Sequence, residues 1–233
     1  MKKFIMLVLL SFMSHAYLFG QCNNYFNFKE GTVFEVESFS AKDKKEGRML
    51  NNVSAYKANG NGFEATIHST IYDKKDEEVY NGEYSISCEN GVILMDMSKF
   101  IPQESLEQMK DAQIEISGDY LEMPSNLAVG QTLKDGNMKI SMTGDQPMGM
   151  NMSISIVDRK VEARETVSTP AGKFDCFKIT YTIKSTTNMM GININNTMSS
   201  SEWLAENVGV VKTESYNKKG NLTGYTLLSR FEN

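Results

Sequence analysis

From Thr32 to Phe231 apolar and polar residues alternate in short runs separated by Gly, Asn, Asp and Lys, the period-two pattern of antiparallel strands. The early runs predict strands at 32–39, 48–58, 63–73, 79–89 and 91–97. Asn90-Gly91 between the last two is a two-residue hairpin signal, because both central positions of that turn need positive φ. Helical periodicity is nearly absent. The single candidate helix is 102–111, PQESLEQMKD, with Pro in the first turn, acids early and a lysine late. Ile114 to Met123 reads as a short hairpin around Gly118-Asp119, followed by a connecting segment at 127–133.

The run Val161 to Lys184 predicts a second tight hairpin. Pro170 presets φ and Gly172 takes the conformation that a Cβ would obstruct, while Phe177, Ile179, Tyr181 and Ile183 alternate with Lys178, Thr180, Thr182 and Lys184. Paired lysines recur in the turns AKDKKEG at 41–47, YDKKDEE at 72–78 and YNKKGNLTG at 216–224. They are read as solvated turns that guard against edge association, with docking of acidic groups as the other use.

Methionine changes the picture of the second half. Met138, Ile140 and Met142 share one parity, as do Met148, Met150, Met152, Ile154 and Ile156, and the habit continues through Met190, Ile192, Ile194 and Met198. Each run would set methionine and isoleucine on one side and Ser, Asn and Lys on the other. Three readings stay open: a core using methionine as flexible filler, an adaptable apolar concavity for a lipid-like ligand, and thioether binding of copper by Met148, Met150 and Met152. On the second reading Met138, Met142, Met148, Met150, Met152, Met190 and Met198 are the ligand-contacting candidates.

Residues 1–20 read as a signal peptide, with Lys2 and Lys3 before an apolar stretch from Phe4 to Phe12 and Gly20 at the cut. Residues 21–233 are then one exported, soluble domain in the periplasm or at the cell surface. A lipid anchor on Cys22 is the less favoured outcome, because Gln21 stands where a lipobox wants a small residue. Losing the two leader lysines from 24 basic residues leaves 22 against 29 acids, a balance of −7. Such a surface argues against nucleic acid as a partner.

Cys22, Cys88 and Cys176 in an oxidising compartment allow three single bridges. Among these Cys22–Cys88 is preferred, because Cys88 shares the apolar face of its strand with Tyr84 and Ile86, with no bridge at all standing as an equal alternative; Cys176 is expected to be a free thiol. His68 is the one histidine after the leader, and parity puts it on the more polar face of its strand. No nucleophile elbow, zinc pattern, phosphate loop or EF-hand spacing accompanies it. The expectation is no enzyme, no cofactor and no metal.

The wording STPAGKFDCFKITYTIK at 168–184, GEYSISC at 82–88, EMPSNLAVGQTL at 122–133 and EWLAENVGVVKTESYNKKGNLTGYTLL at 202–228 resembles the TapB-like family of small exported bacterial proteins, whose function is unknown. That family is similar in turn to lipoprotein carriers of the LolA and LolB kind, and Trp203-Leu204-Ala205 followed by Gly209-Val210-Val211-Lys212 resembles their tryptophan-led hairpin. The resemblance implies an incomplete barrel with an apolar concavity. The fold expected is therefore mainly β: a single curved antiparallel sheet of roughly ten to thirteen strands, an open or half barrel, with one short helix packed at its concave side. The function expected is that of a non-catalytic envelope protein binding a hydrophobic or lipid-like ligand. The alternative is a protein-interaction or assembly module with a fully packed core and an envelope protein as partner.

Overall fold

The computed structural model describes residue 22 and residues 25–96, 113–143, 150–189 and 191–233. Thirteen strands follow one another: β1 (Val33–Ser40), β2 (Lys45–Asn59), β3 (Gly62–Asp73), β4 (Glu78–Glu89), β5 (Val92–Asp96), β6 (Gln113–Gly118), β7 (Tyr120–Pro124), β8 (Gly136–Thr143), β9 (Met150–Thr169), β10 (Gly172–Met189), β11 (Ile192–Ala205), β12 (Gly209–Asn217) and β13 (Leu222–Glu232). They form one antiparallel sheet in the order β6-β8-β9-β10-β11-β12-β13-β1-β2-β3-β4-β5-β7. Asn90 and Gly91 have φ of 50° and 78°, the left-handed pair that the two-residue turn between β4 and β5 requires.

The expected half barrel with a short helix packed at its concave side does not fit the described structure. The described residues contain strands and turns and no helix, and the segment expected to be helical, 102–111, lies outside them. The sheet also curls much further than a half barrel. Its end strands, β6 and β7, are consecutive in the chain and separated by Asp119 alone. One extended stretch therefore pairs first with β8 and then with β5, and brings the two ends of the sheet together in a nearly closed barrel.

The hairpin expected around Gly118-Asp119 does not exist, because neither residue takes the positive φ that a tight reversal demands. The chain runs straight on and changes partner. The Asp119 amide donates to the carbonyl of Asn137 at 2.8 Å, prolonging the β8 pairing, and the next residue, Tyr120, stands opposite Asp96. Gly118 permits the close approach, since a Cβ there would lie 2.9 Å from the Asn137 carbonyl oxygen.

Two apolar clusters lie on opposite faces of β10 and β11. The larger, inside the barrel, joins Val53, Phe63, Ile67, Ile93, Met123, Val161, Phe177, Ile179 and Leu204 with Tyr25, Phe26 and Phe28 of the N-terminal segment. The smaller gathers Cys176, Trp203, Ala205, Val211 and Leu228. Phe177 pairs with Leu204 and Cys176 with Ala205, so a step of one residue along each strand passes from one cluster to the other. Cys22 is bonded to Cys88, which fastens the N-terminal segment to β4, and Cys176 is free and buried.

Candidate functional site

Beyond the end of β12, at Asn217 opposite Met198, β10 and β11 continue as a long hairpin flanked by β9, β8 and β6. These five strands form a platform whose register lines up the methionines and isoleucines. Ile116 pairs with Ile140, Ile140 with Met152, Met152 with Thr187 and Thr187 with Ile194. One step outward, the register pairs Ile114 with Met142, Met142 with Met150, Met150 with Met189 and Met189 with Ile192. One step inward, Met138 is opposite Ile154, and the next row sets Ile156 opposite Ile183 and Ile183 opposite Met198. Because Ile183 shares parity with Tyr181 and Ile179, this face is continuous with the interior of the barrel.

Of the seven methionines singled out, Met138, Met152 and Met198 thus fall on one face, and Met142 and Met150 stand opposite each other in the β8–β9 ladder. Met148 and Met190 lie outside the described residues. Burial decreases outward: Met138 is buried and Met152 half-buried, while Ile192 and Ile194 are 66 % and 56 % exposed.

The other face of the platform is polar throughout. Glu115, Ser141, Asn151, Asn188 and Asn193 form one row and Ser117, Lys139, Ser153, Thr186 and Asn195 the next. Neighbours bond in pairs: Ser141 Oγ donates to Asn151 Oδ1 at 2.7 Å, Thr186 Oγ1 to Asn195 Oδ1 at 2.8 Å, and Asn188 Nδ2 to Asn193 Oδ1 at 2.7 Å. A shallow hollow of about 700 Å³ opens here, lined chiefly by these residues. The hollow therefore belongs to the polar face, and the expected apolar concavity is instead a broad apolar face.

Inside the barrel the alternation gives no hint of a charge, yet Arg159 is 1 % exposed. A bulge puts it there: Asp158, at φ 57°, and Arg159 together fall where β10 offers only Tyr181, and the pairing resumes one residue out of step. Its Nη1 donates to the carbonyls of Glu122 at 2.8 Å and Lys134 at 2.6 Å. Tyr181 donates its hydroxyl to Glu202 Oε2 at 3.4 Å. Desolvation pushes the Glu202 carboxyl above its ordinary value, with the Arg159 charge and the Tyr181 hydroxyl pulling the other way. Burial likewise raises the Tyr181 phenol and lowers the Arg159 guanidinium. Sequence reading missed this group, although a signal was present. Ile154 and Ile156 have even numbers and the equally buried-facing Arg159 and Val161 odd ones, a parity slip that marks a bulge.

The His68 side chain is 42 % exposed and sits 3.9 Å from the Glu83 carboxylate, a surface pair. Cys176 is pushed up to about 11, chiefly by burial, which keeps it a thiol and a poor nucleophile. Among the described residues no three His, Cys, Asp or Glu side chains gather as a metal site. No described helix is long and apolar enough to cross a membrane.

These features define a disulfide-fastened, all-β domain with a nearly closed barrel and an amphipathic platform. The chain belongs to the DUF3108-like family, whose family model matches residues 29–228. It is similar in structure to a protein of Bacteroides fragilis assigned as exported and as having a YmcC-like fold, with a TM-score of 0.70 and 24 % identity over 91 % of this chain and 100 % of that one. A protein of Parabacteroides distasonis assigned as a lipoprotein gives a TM-score of 0.71 and 25 % identity over 91 % of this chain and 99 % of that one. No curated protein matches. The family shown is DUF3108-like, and these matches support neither the TapB-like assignment nor the link to LolA and LolB carriers. The Parabacteroides distasonis relative, assigned as a lipoprotein, fits an envelope location.

Proposed function

We propose that this is an exported, non-catalytic envelope protein that holds a hydrophobic, lipid-like ligand against the methionine and isoleucine face of the platform. The observation that carries the reading is the register, which sets Ile116, Ile140, Met152 and Ile194 in one row across five strands, with Ile116 half-buried at one end and Ile194 exposed at the other. An apolar face that runs out of a packed interior into solvent wants a cover. Methionine suits a cover of variable shape, because its unbranched, polarisable side chain repacks at little cost.

On this reading the protein is not held by a lipid on Cys22. The Cys22 sulfur bonded to Cys88 has no valence left for a thioether anchor.

The test is lipid extraction and mass spectrometry of the purified protein, joined to titration with a fluorescent acyl-chain probe. Met152→Asp is expected to abolish probe binding while leaving the unfolding midpoint within a few degrees, since the side chain is only half-buried. Preparations that are reproducibly empty and indifferent to the probe would sink the reading in favour of an interaction module. So would a Met152→Asp variant that unfolds, the sign of an ordinary core position.

A further inference from the structure

The platform has two outer edges, β6 and the first residues of β11. The pairing of β11 with β12 stops at Met198, and β11 runs on through residues 192–197 with no strand on that side among the described residues. We propose that two copies of this chain pair edge to edge through residues 192–196, antiparallel about a two-fold axis at Ile194.

Three observations carry this. First, the edge is unguarded. Exposed edge strands are ordinarily protected by charge, proline or a bulge; this one reads Ile-Asn-Ile-Asn-Asn-Thr, with no charged residue and no proline, and keeps unbroken register with β10. The β6 edge, by contrast, carries Glu115. Second, the backbone is already extended as a strand over 192–197, so a partner strand would prolong the ladder that β12 leaves off.

Third, the edge is complementary to itself. A two-fold axis at Ile194 sets it opposite the partner's Ile194 and puts Asn193 opposite the partner's Asn195. Directly opposed side chains in such a pair stand roughly 4.5–5.5 Å apart at Cβ, close enough for the aliphatic pair to touch and the amides to bond. Those amides already bond across the β10–β11 ladder, Asn193 to Asn188 at 2.7 Å and Asn195 to Thr186 at 2.8 Å. Pairing would therefore extend an existing amide row, and Ile192 and Ile194, 66 % and 56 % exposed, would gain neighbours. An isologous contact of this kind closes on itself and stops at two chains. The two platforms become one ten-strand sheet with a continuous methionine and isoleucine face. The inference stands on the edge alone and holds whether or not that face carries a ligand.

Light scattering on the eluted protein across the micromolar to millimolar range is expected to give twice the chain mass. Ile194→Lys, which opposes two like charges at the axis of a surface strand, is expected to give the single-chain mass with an unchanged circular dichroism spectrum. Ile194→Cys is expected to form an intermolecular disulfide under air, visible on a non-reducing gel, whereas Ser117→Cys on β6 is not. A chain that stays single at every concentration overturns the proposal. So does a dimer that survives Ile194→Lys and fails to crosslink at Ile194→Cys, because it must then use another surface.

Discussion

Arg159 Nη1 donates to the backbone carbonyl of Glu122 at 2.8 Å, a bond from the third strand at one end of the sheet to the last strand at the other. With its second bond, to Lys134, it clasps the seam where the barrel comes round on itself. A buried guanidinium is costly to desolvate and is kept only where its donors are used.

Arg159→Met removes the clasp and strands two carbonyls beside it. The expected loss is about 2–4 kcal/mol, read as a lower urea midpoint, and Arg159→Lys is expected to recover only part of it. An unchanged midpoint for Arg159→Met would show that the seam holds without it.

Glu202 gives a pH dependence of definite sign. Its carboxyl is raised above its ordinary value of 4.5 by desolvation. The native state therefore holds the proton more tightly than the unfolded chain, so this group's contribution is fully present below that ordinary value and is lost as pH rises through the raised one. Glu202→Gln is expected to be more stable than the wild type at neutral pH, with the difference shrinking as pH falls to about 4. Urea titrations of both proteins across that range measure it.

The Cys22–Cys88 bond closes a loop with a sequence separation of 66. Loop-closure entropy puts its contribution at about 4 kcal/mol. Reduction, or Cys22→Ser, is expected to lower the unfolding midpoint by that order. Cys176, buried and pushed up to about 11, is expected to resist alkylation until the protein unfolds. Mass spectrometry after a timed iodoacetamide pulse distinguishes the two states.

Gly209 has φ of +97°, and a Cβ built on it would lie 2.7 Å from the Phe26 ring. Gly209→Ala is expected to cost about 1–3 kcal/mol through strained backbone and a displaced ring, seen as a lowered thermal midpoint. Gly220→Ala, at φ +79° with open space around it, bears the backbone strain alone and is expected to cost less.

Much of the local architecture is legible in the chain because it is set within a few residues. Alternation along Phe177, Ile179, Tyr181 and Ile183 announces a strand, and Asn90-Gly91 announces its turn through the φ angles that only such residues take without strain. The methionine parity likewise places Met138 and Met142 on a common side of one strand, and Met150 and Met152 on a common side of the next. Those statements need only period two and steric rules.

What only the tertiary structure decided are the relations between distant strands. Gly118-Asp119 has the composition of a reversal, yet Asp119 continues into β7, because pairing with β8 on one side and β5 on the other holds the chain extended. Arg159 sits in DRKVEARE, a run that reads as solvent-facing, and a one-residue bulge against β10 turns it inward. The same registers gather scattered methionines and isoleucines into one face and leave residues 192–197 of β11 with an edge that no other described residue pairs. The amino-acid order dictates which side of a strand each residue occupies. Which strands meet, and how far the sheet curls before it meets itself, depend on pairings summed over the whole chain.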